Sequence, residues 1–175
     1  WSSDVCSSDL PLGPSAVDST LTAGLPVALQ VVGQRWRDEE VLAVGQIVAD
    51  SGFVPDVVLG IARGGLIPAG SLAYALGCKN LFTISVEFYT GVDSRLDVPV
   101  MLPPFLNAHD LDEASVLVVD DVADTGRTLE LVAEFCSGHV RDLQTAVLFE
   151  KPQSVIRCDH VWKRTSRWIN FPWST

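Results

Sequence analysis

Three short runs of aliphatic and β-branched residues recur along the chain: Val57–Ile61, Ser115–Val119 and Thr145–Phe149. None alternates apolar with polar. A strand with one wet face alternates, whereas a strand covered on both faces does not. The first run breaks at Arg63-Gly64-Gly65 and feeds an uncharged helical segment, Leu66–Leu76, capped by Gly77. The second passes through an Asp-rich turn into a helix reaching Phe135 and stopping near Ser137-Gly138. Ahead of both, Asp38–Asp50 carries Val41, Leu42, Val44, Ile47 and Val48 behind an acidic first turn, the spacing of an amphipathic helix. Leu81–Val86 reads as a further strand. This rhythm predicts an α/β fold with a mainly parallel sheet flanked by helices. Tyr89–Pro104, with Gly91, Pro99, Pro103, Pro104 and no helical period, reads as one long loop, the kind that forms lids and binding elements.

At 175 residues and 47% hydrophobic content, the chain has the material for one packed domain and is not wholly disordered. A net charge of −10 argues against a broad grip on DNA or RNA. It leaves room for a small anion site, because backbone N–H groups and a bound cation hold phosphate without a basic surface. The longest uncharged stretch, Gly64–Cys78, falls short of the ~18–20 residues that span a bilayer. The first residues lack the charged and apolar regions of a secretory signal. Cys6, Cys78, Cys136 and Cys158 are scattered, with no CxxC pair, which predicts reduced thiols in a cytoplasmic setting. His109, His139 and His160 stand alone and read as structural or surface residues.

The most informative segment is VLVVDDVADTGRTL, Val116–Leu129. Ligands of open α/β sheets bind beyond the carboxyl ends of strands, and this is such an end. Asp120, Asp121 and Asp124 lie within five residues, followed by a Thr-Gly-x-Thr turn that opens a helix. Gly126 lets the backbone turn and come close to a ligand. Successive N–H groups there can hold a phosphate, with the Thr125 and Thr128 hydroxyls donating further bonds. Three acids beside a phosphate would repel it unless they bind sugar hydroxyls or a Mg²⁺ that carries a polyphosphate. Helix capping needs one Asp and leaves the other two unexplained.

This segment resembles the phosphoribosyl pyrophosphate (PRPP) motif of the type I phosphoribosyltransferases: two acids, then a D-T-G-x-T loop. The resemblance implies that Asp120 and Asp121 bind the ribose hydroxyls and place Mg²⁺. It implies that Asp124, Thr125, Gly126, Arg127 and Thr128 form the 5′-phosphate loop, with Asp124 also steering the base proton. Gly60–Pro68 resembles the family's pyrophosphate loop, which would put Arg63 and Gly64 on the leaving group, Gly64 permitting a strained backbone there. Tyr89 and Arg95 sit at the spacing of the family's flexible hood, with Arg95 closing over pyrophosphate as a catalytic residue.

Lys151-Pro152, then Trp168-Ile169 and Pro172-Trp173, resemble the bacterial xanthine-guanine branch, which implies that Lys151, Trp168 and Ile169 bind the purine. Trp173 reads as a core or subunit-interface aromatic. The likeness runs over about Ser51–Trp173, apart from Arg157–Arg167, which matches poorly. It implies transfer of phosphoribose from PRPP to a nucleobase, a 6-oxopurine, in a homo-oligomer (dimer or tetramer) that engages neither nucleic acid nor membrane. Three alternatives stay open on the sequence: a PRPP-sensing regulator, an enzyme for another base, and a non-catalytic fragment.

Residues 38–175 are expected to form the phosphoribosyltransferase domain. Residues 1–10 are expected to be an artefact, because Asp4–Leu10 resembles a translated sequencing-adapter scar. In the uncertain segment 11–37, Pro26–Val32 reads as a strand. The stretch GLPVALQVVGQRWRDEEVL, Gly24–Leu42, resembles the tail of amidase-signature enzymes but carries none of their catalytic apparatus.

Overall fold

A computed structural model describes residues 38–89, 98–101, 111–171 and 173. All fall within the unit Trp36–Thr175. The expectations for the adapter-like start with Cys6, for the strand Pro26–Val32, for Arg95 of the hood and for His109 lie outside the described residues.

The elements run in the order α1 (Asp38–Asp50), β1 (Val57–Ala62), α2 (Leu66–Ala75), β2 (Leu81–Tyr89), β3 (Val98–Met101), β4 (Ser115–Ala123), α3 (Arg127–Cys136), β5 (Asp142–Glu150) and β6 (His160–Arg164). The six strands form one sheet in the order β3-β2-β1-β4-β5-β6. All pairings are parallel except β2 with β3.

The period-free strands are buried on both faces, as their composition requires. Val58, Leu117, Val119, Ala146 and Leu148 face one layer, where they pack with Val41, Val44 and Val48 of α1 and Ala69 and Leu72 of α2. Their neighbours Val57, Leu59, Ile61, Val116, Val118 and Val147 face the other layer and meet Leu129, Val132 and Cys136 of α3. Successive strand residues thus feed two cores, which a half-polar strand cannot do.

Two expectations change. The stretch Tyr89–Pro104 is not one loop, because Val98–Met101 pairs antiparallel with β2 in the register Tyr89↔Val98 through Val86↔Met101. Pro99 is tolerated there because β3 is an edge strand, which does not need every N–H in a ladder. The central strand does not end at Val119: β4 continues to Ala123, so Asp120 and Asp121 are strand residues, and Asp120 pairs in register with Val147. The strand β6, in the stretch that matched its relatives poorly, adds an element that the sequence did not announce.

Because β1, β4, β5 and β6 are parallel, the segments after them emerge at one end of the sheet. Arg63 follows β1, Asp124 follows β4, Lys151 follows β5 and Thr165 follows β6.

Candidate active site

A cleft of about 600 Å³ opens at this end of the sheet, lined by Arg63 and Gly64 on one side and Lys151, Trp168 and Ile169 on another. Asp121, Val122, Asp124, Asn170, Phe171 and Trp173 also line it, whereas Asp120, Thr125, Gly126, Arg127 and Thr128 are not among its lining residues.

β4, running on to Ala123, carries Asp121 and Val122 into the cleft. Asp121 is 7% exposed, and its backbone N–H donates to Asp120 Oδ1 at 2.9 Å. Among the described residues, no Lys or Arg forms an ion pair with either carboxylate. Burial, with the neighbouring Asp121 charge adding to it, holds the Asp120 carboxyl well above the usual carboxylate range. Burial also raises Asp121, and the strongest opposing influence is the Trp173 indole, whose N–H donates to Asp121 Oδ2 at 2.8 Å. Trp173 is therefore bonded to the acid pair. It also packs against the core cluster, as expected of it, and the bond to Asp121 comes in addition.

Beyond the acids the chain turns sharply. Gly126 has φ of 78°, the left-handed region where side chains are strained. A Cβ there would also run into Ser154 and Ile156. The turn starts α3, whose N-terminus has no side-chain cap, so its first N–H groups are available to an anion. Thr125 Oγ1 accepts only a long 3.5 Å contact from the Arg127 N–H. Asp124, Thr125 and Arg127 are exposed, and Thr128 is half-buried. Asp124 Oδ1 accepts a bond from Gln153 Nε2 at 2.7 Å. The 153–156 segment also bonds this turn through the backbone, Val155 N–H to Thr125 oxygen at 2.9 Å.

The Arg63–Gly65 turn faces the acids. A side chain at Gly64 would overlap the Asp121 carboxyl group, and one at Gly65 would strike the backbone of β4. Glycine is thus required at position 64 for close approach. The strained conformation expected there is not a left-handed φ, since Gly64 is not among the positive-φ glycines. The Ala62–Arg63 peptide is cis, and the Arg63 side chain is exposed.

The base-side candidates are arranged less uniformly. Lys151 is 6% exposed and its ammonium donates to the Arg167 carbonyl oxygen, fixing the turn that presents Trp168. Trp168 is 84% exposed, which excludes a core role, and its indole N–H donates to Asn170 Oδ1 at 3.0 Å. Ile169 is half-buried against the α1–α2 core.

Sequence reasoning missed Glu150, which organises this wall. Its fully buried side chain accepts from Arg157 at 2.8 Å and Arg164 at 2.9 Å, and from the Cys158 backbone N–H at 2.9 Å. These donors outweigh its desolvation and lower its carboxyl. A lone Glu before Lys-Pro gives no sign of partners up to fourteen residues away.

The described cysteines are free, and burial pushes the thiols of Cys136 and Cys158 up to about 11 and about 12, so neither is activated as a nucleophile. His160 is buried against Gln144 at 2.7 Å, and His139 lies 3.8 Å from Asp112, both away from the cleft. Among the described residues no group of three or more His, Cys, Asp or Glu converges to hold a metal unaided. No helix of theirs is long and apolar enough to cross a membrane.

Comparison with known proteins yields one consistent picture. A phosphoribosyl transferase domain model matches residues 42–175. A xanthine-guanine phosphoribosyltransferase of Gluconobacter oxydans is 33% identical over 120 residues, 67% of this chain and 68% of that protein. One from Roseobacter denitrificans is 35% identical over 123 residues, 66% of each. The crystal structure of a purine phosphoribosyltransferase from Pyrococcus horikoshii superposes with a TM-score of 0.70 at 36% identity, covering 81% of this chain and 91% of that one.

Proposed function

The chain belongs to the phosphoribosyl transferase family, and on that premise we propose that it transfers the 5-phosphoribosyl group of PRPP to a purine, a 6-oxopurine such as guanine, xanthine or hypoxanthine, releasing pyrophosphate. One observation carries this reading: a single cleft joins the acids Asp121 and Asp124, the Arg63–Gly64 turn and an aromatic wall with a lysine, and the chain leads from Asp124 directly into the uncapped start of α3. The acids, the turn and the helix start suit a phosphorylated sugar carrying a metal, and the wall suits a flat heterocycle with a carbonyl.

In this reading the Asp124–Thr128 turn and the start of α3 hold the 5′-phosphate. Asp120 and Asp121 accept from the ribose hydroxyls and face the Mg²⁺ that arrives with PRPP. The pair fits such a cation, because Asp121 is buried, Asp120 beside it in the strand is half-buried, and neither has a basic partner among the described residues. Bound there, Mg²⁺ supplies charge neutralisation for the departing pyrophosphate.

Arg63 and the Gly64 backbone bind the leaving group, and Arg95 closes over it, excluding water from a sugar that becomes cationic as the bond breaks. Ile169 and Trp168 flank the base and Lys151 donates to its carbonyl oxygen. Asp124 takes or steers the base proton. No covalent intermediate is needed.

Residues 38–175 are the catalytic domain in this proposal. The chain works as a homo-oligomer, dimer or tetramer, in the cytoplasm. The uncharged outer face of α2, with Tyr74 93% exposed, and the free described cysteines support those two points.

The test is pyrophosphate release with PRPP, Mg²⁺ and a panel of guanine, xanthine, hypoxanthine, adenine, uracil and orotate. Release with the 6-oxopurines and little with the rest is expected. Turnover confined to another base, or PRPP binding with no turnover, refutes the proposal.

A further inference from the structure

The acid pair is gripped from the far end of the chain. The Trp173 indole that donates to Asp121 Oδ2 is itself fixed: it stacks on Phe171 with centroids 5.0 Å apart and planes 18° apart. Phe171 is buried and meets Phe149 edge-on at 5.8 Å. Phe149 belongs to β5, so it is anchored in the sheet. Three rings thus form a strut from β5 to the Asp121 carboxylate. On its other side that carboxylate abuts Gly64, where any Cβ would overlap it.

We infer that Trp173 is a positioning residue for the PRPP half of the site, holding the Asp121 carboxylate in the orientation that meets the sugar and its metal. This rests on the role proposed for Asp121 and extends it to a residue fifty-two positions away. A carboxylate with free rotors must be ordered when its ligand arrives, and a donor already in place removes that cost beforehand. The donor sits in the same short segment as Trp168 and Ile169, so one tail serves both halves of the cleft.

Trp173→Phe keeps a ring to stack on Phe171 and removes the donor. Calorimetric titration of Mg·PRPP into the protein, with no base present, is expected to show a Kd raised about tenfold, the worth of a hydrogen bond to a charged acceptor. In the transfer assay the KM for the base is expected to stay within about twofold of the parent's. Replacement of Trp173 by 3-benzothienylalanine, a ring of indole shape without the N–H, should reproduce the loss and serves if the Phe variant is unstable.

An unchanged Kd in both variants overturns the inference, because the hydrogen bond then orders nothing. A matching rise in KM for the base overturns it too, because Trp173 is then a general support of the cleft. A parent protein that binds Mg·PRPP but transfers to no base refutes the function proposed above and leaves this inference to the titration, which needs no base.

Discussion

Glu150 and the Asp120–Asp121 pair stand on neighbouring parallel strands, near the same end of the sheet, with Ala123 paired to Glu150. Both carry carboxyl groups taken out of water, yet the two places are completed differently. Glu150 is fully buried and receives two guanidinium donors and a backbone N–H. Its carboxyl is lowered, so the charge is at home there. The aspartates receive an indole N–H and backbone bonds but no cation among the described residues, and both are raised. Desolvated charge is costly unless paired. The chain settles that cost at Glu150 with its own arginines and leaves it open two and three positions along the neighbouring strand. An unsettled acid pair in a cleft is what a site completed by a ligand looks like.

The sharpest way to break this contrast is to neutralise the open pair. The double variant Asp120→Asn/Asp121→Asn should lose at least about 10³-fold in kcat/KM for transfer, on the order of 4 kcal/mol of transition-state stabilisation. Its circular dichroism should match the parent's. Pyrophosphate release measures the first and far-UV circular dichroism the second, and thermal unfolding should show no loss of stability. If these acids were structural in the way Glu150 is, stability would fall steeply and the remaining folded protein would keep its turnover.

The converse experiment neutralises the settled acid. Glu150→Gln removes a charge that three donors address, and a loss of about 2 kcal/mol in urea unfolding at pH 7 is expected. Arg157 and Arg164 are 64% and 63% exposed, so solvent screens their share and most of the loss comes from the buried acceptor. The sign with pH follows from the lowered carboxyl. Its stabilisation is present above the unfolded value of roughly 4.5 and disappears as pH falls through the folded value, so parent and variant should converge in acid. A gap that persists unchanged at pH 3 would mean that packing, and not charge, explains the loss.

The two regions also differ in how much of them could be read from residues alone. The aspartates, Gly126 and the helix start are consecutive, and their chemistry travels with their spacing. The same holds for the period-free strands and for α1, whose observed limits Asp38–Asp50 coincide with those its apolar spacing predicts. Glu150 becomes meaningful only when β6 lies beside β5 and brings Arg164 opposite it. β6 itself, HVWKR, is too short and too basic to declare itself. β3 was hidden by Pro99, a residue that argues against a strand everywhere except at an edge. The Trp173 donor reaches Asp121 through the folding of the tail over the cleft, and no local pattern encodes such a contact.

The mildest variant asks whether the open pair weakens the fold it sits in. Asp120→Asn keeps an oxygen to accept the Asp121 N–H and removes one buried charge. The Asp120 carboxyl is raised in the folded state, first by burial and then by Asp121. The folded protein therefore binds its proton more tightly than the unfolded chain does. That contribution is fully present below the unfolded value of roughly 3.8 and is lost as pH climbs through the folded value. At pH 7, without Mg²⁺ or phosphate in the buffer, the parent bears a cost that the variant does not. Urea unfolding should then find the variant more stable by about 1 kcal/mol, the scale typical where a site's charge opposes stability. At pH 4 the gap should nearly close. A variant no more stable than the parent at pH 7 would show that the pair is already compensated within the protein, as Glu150 is, and the distinction between the two strand ends would fail.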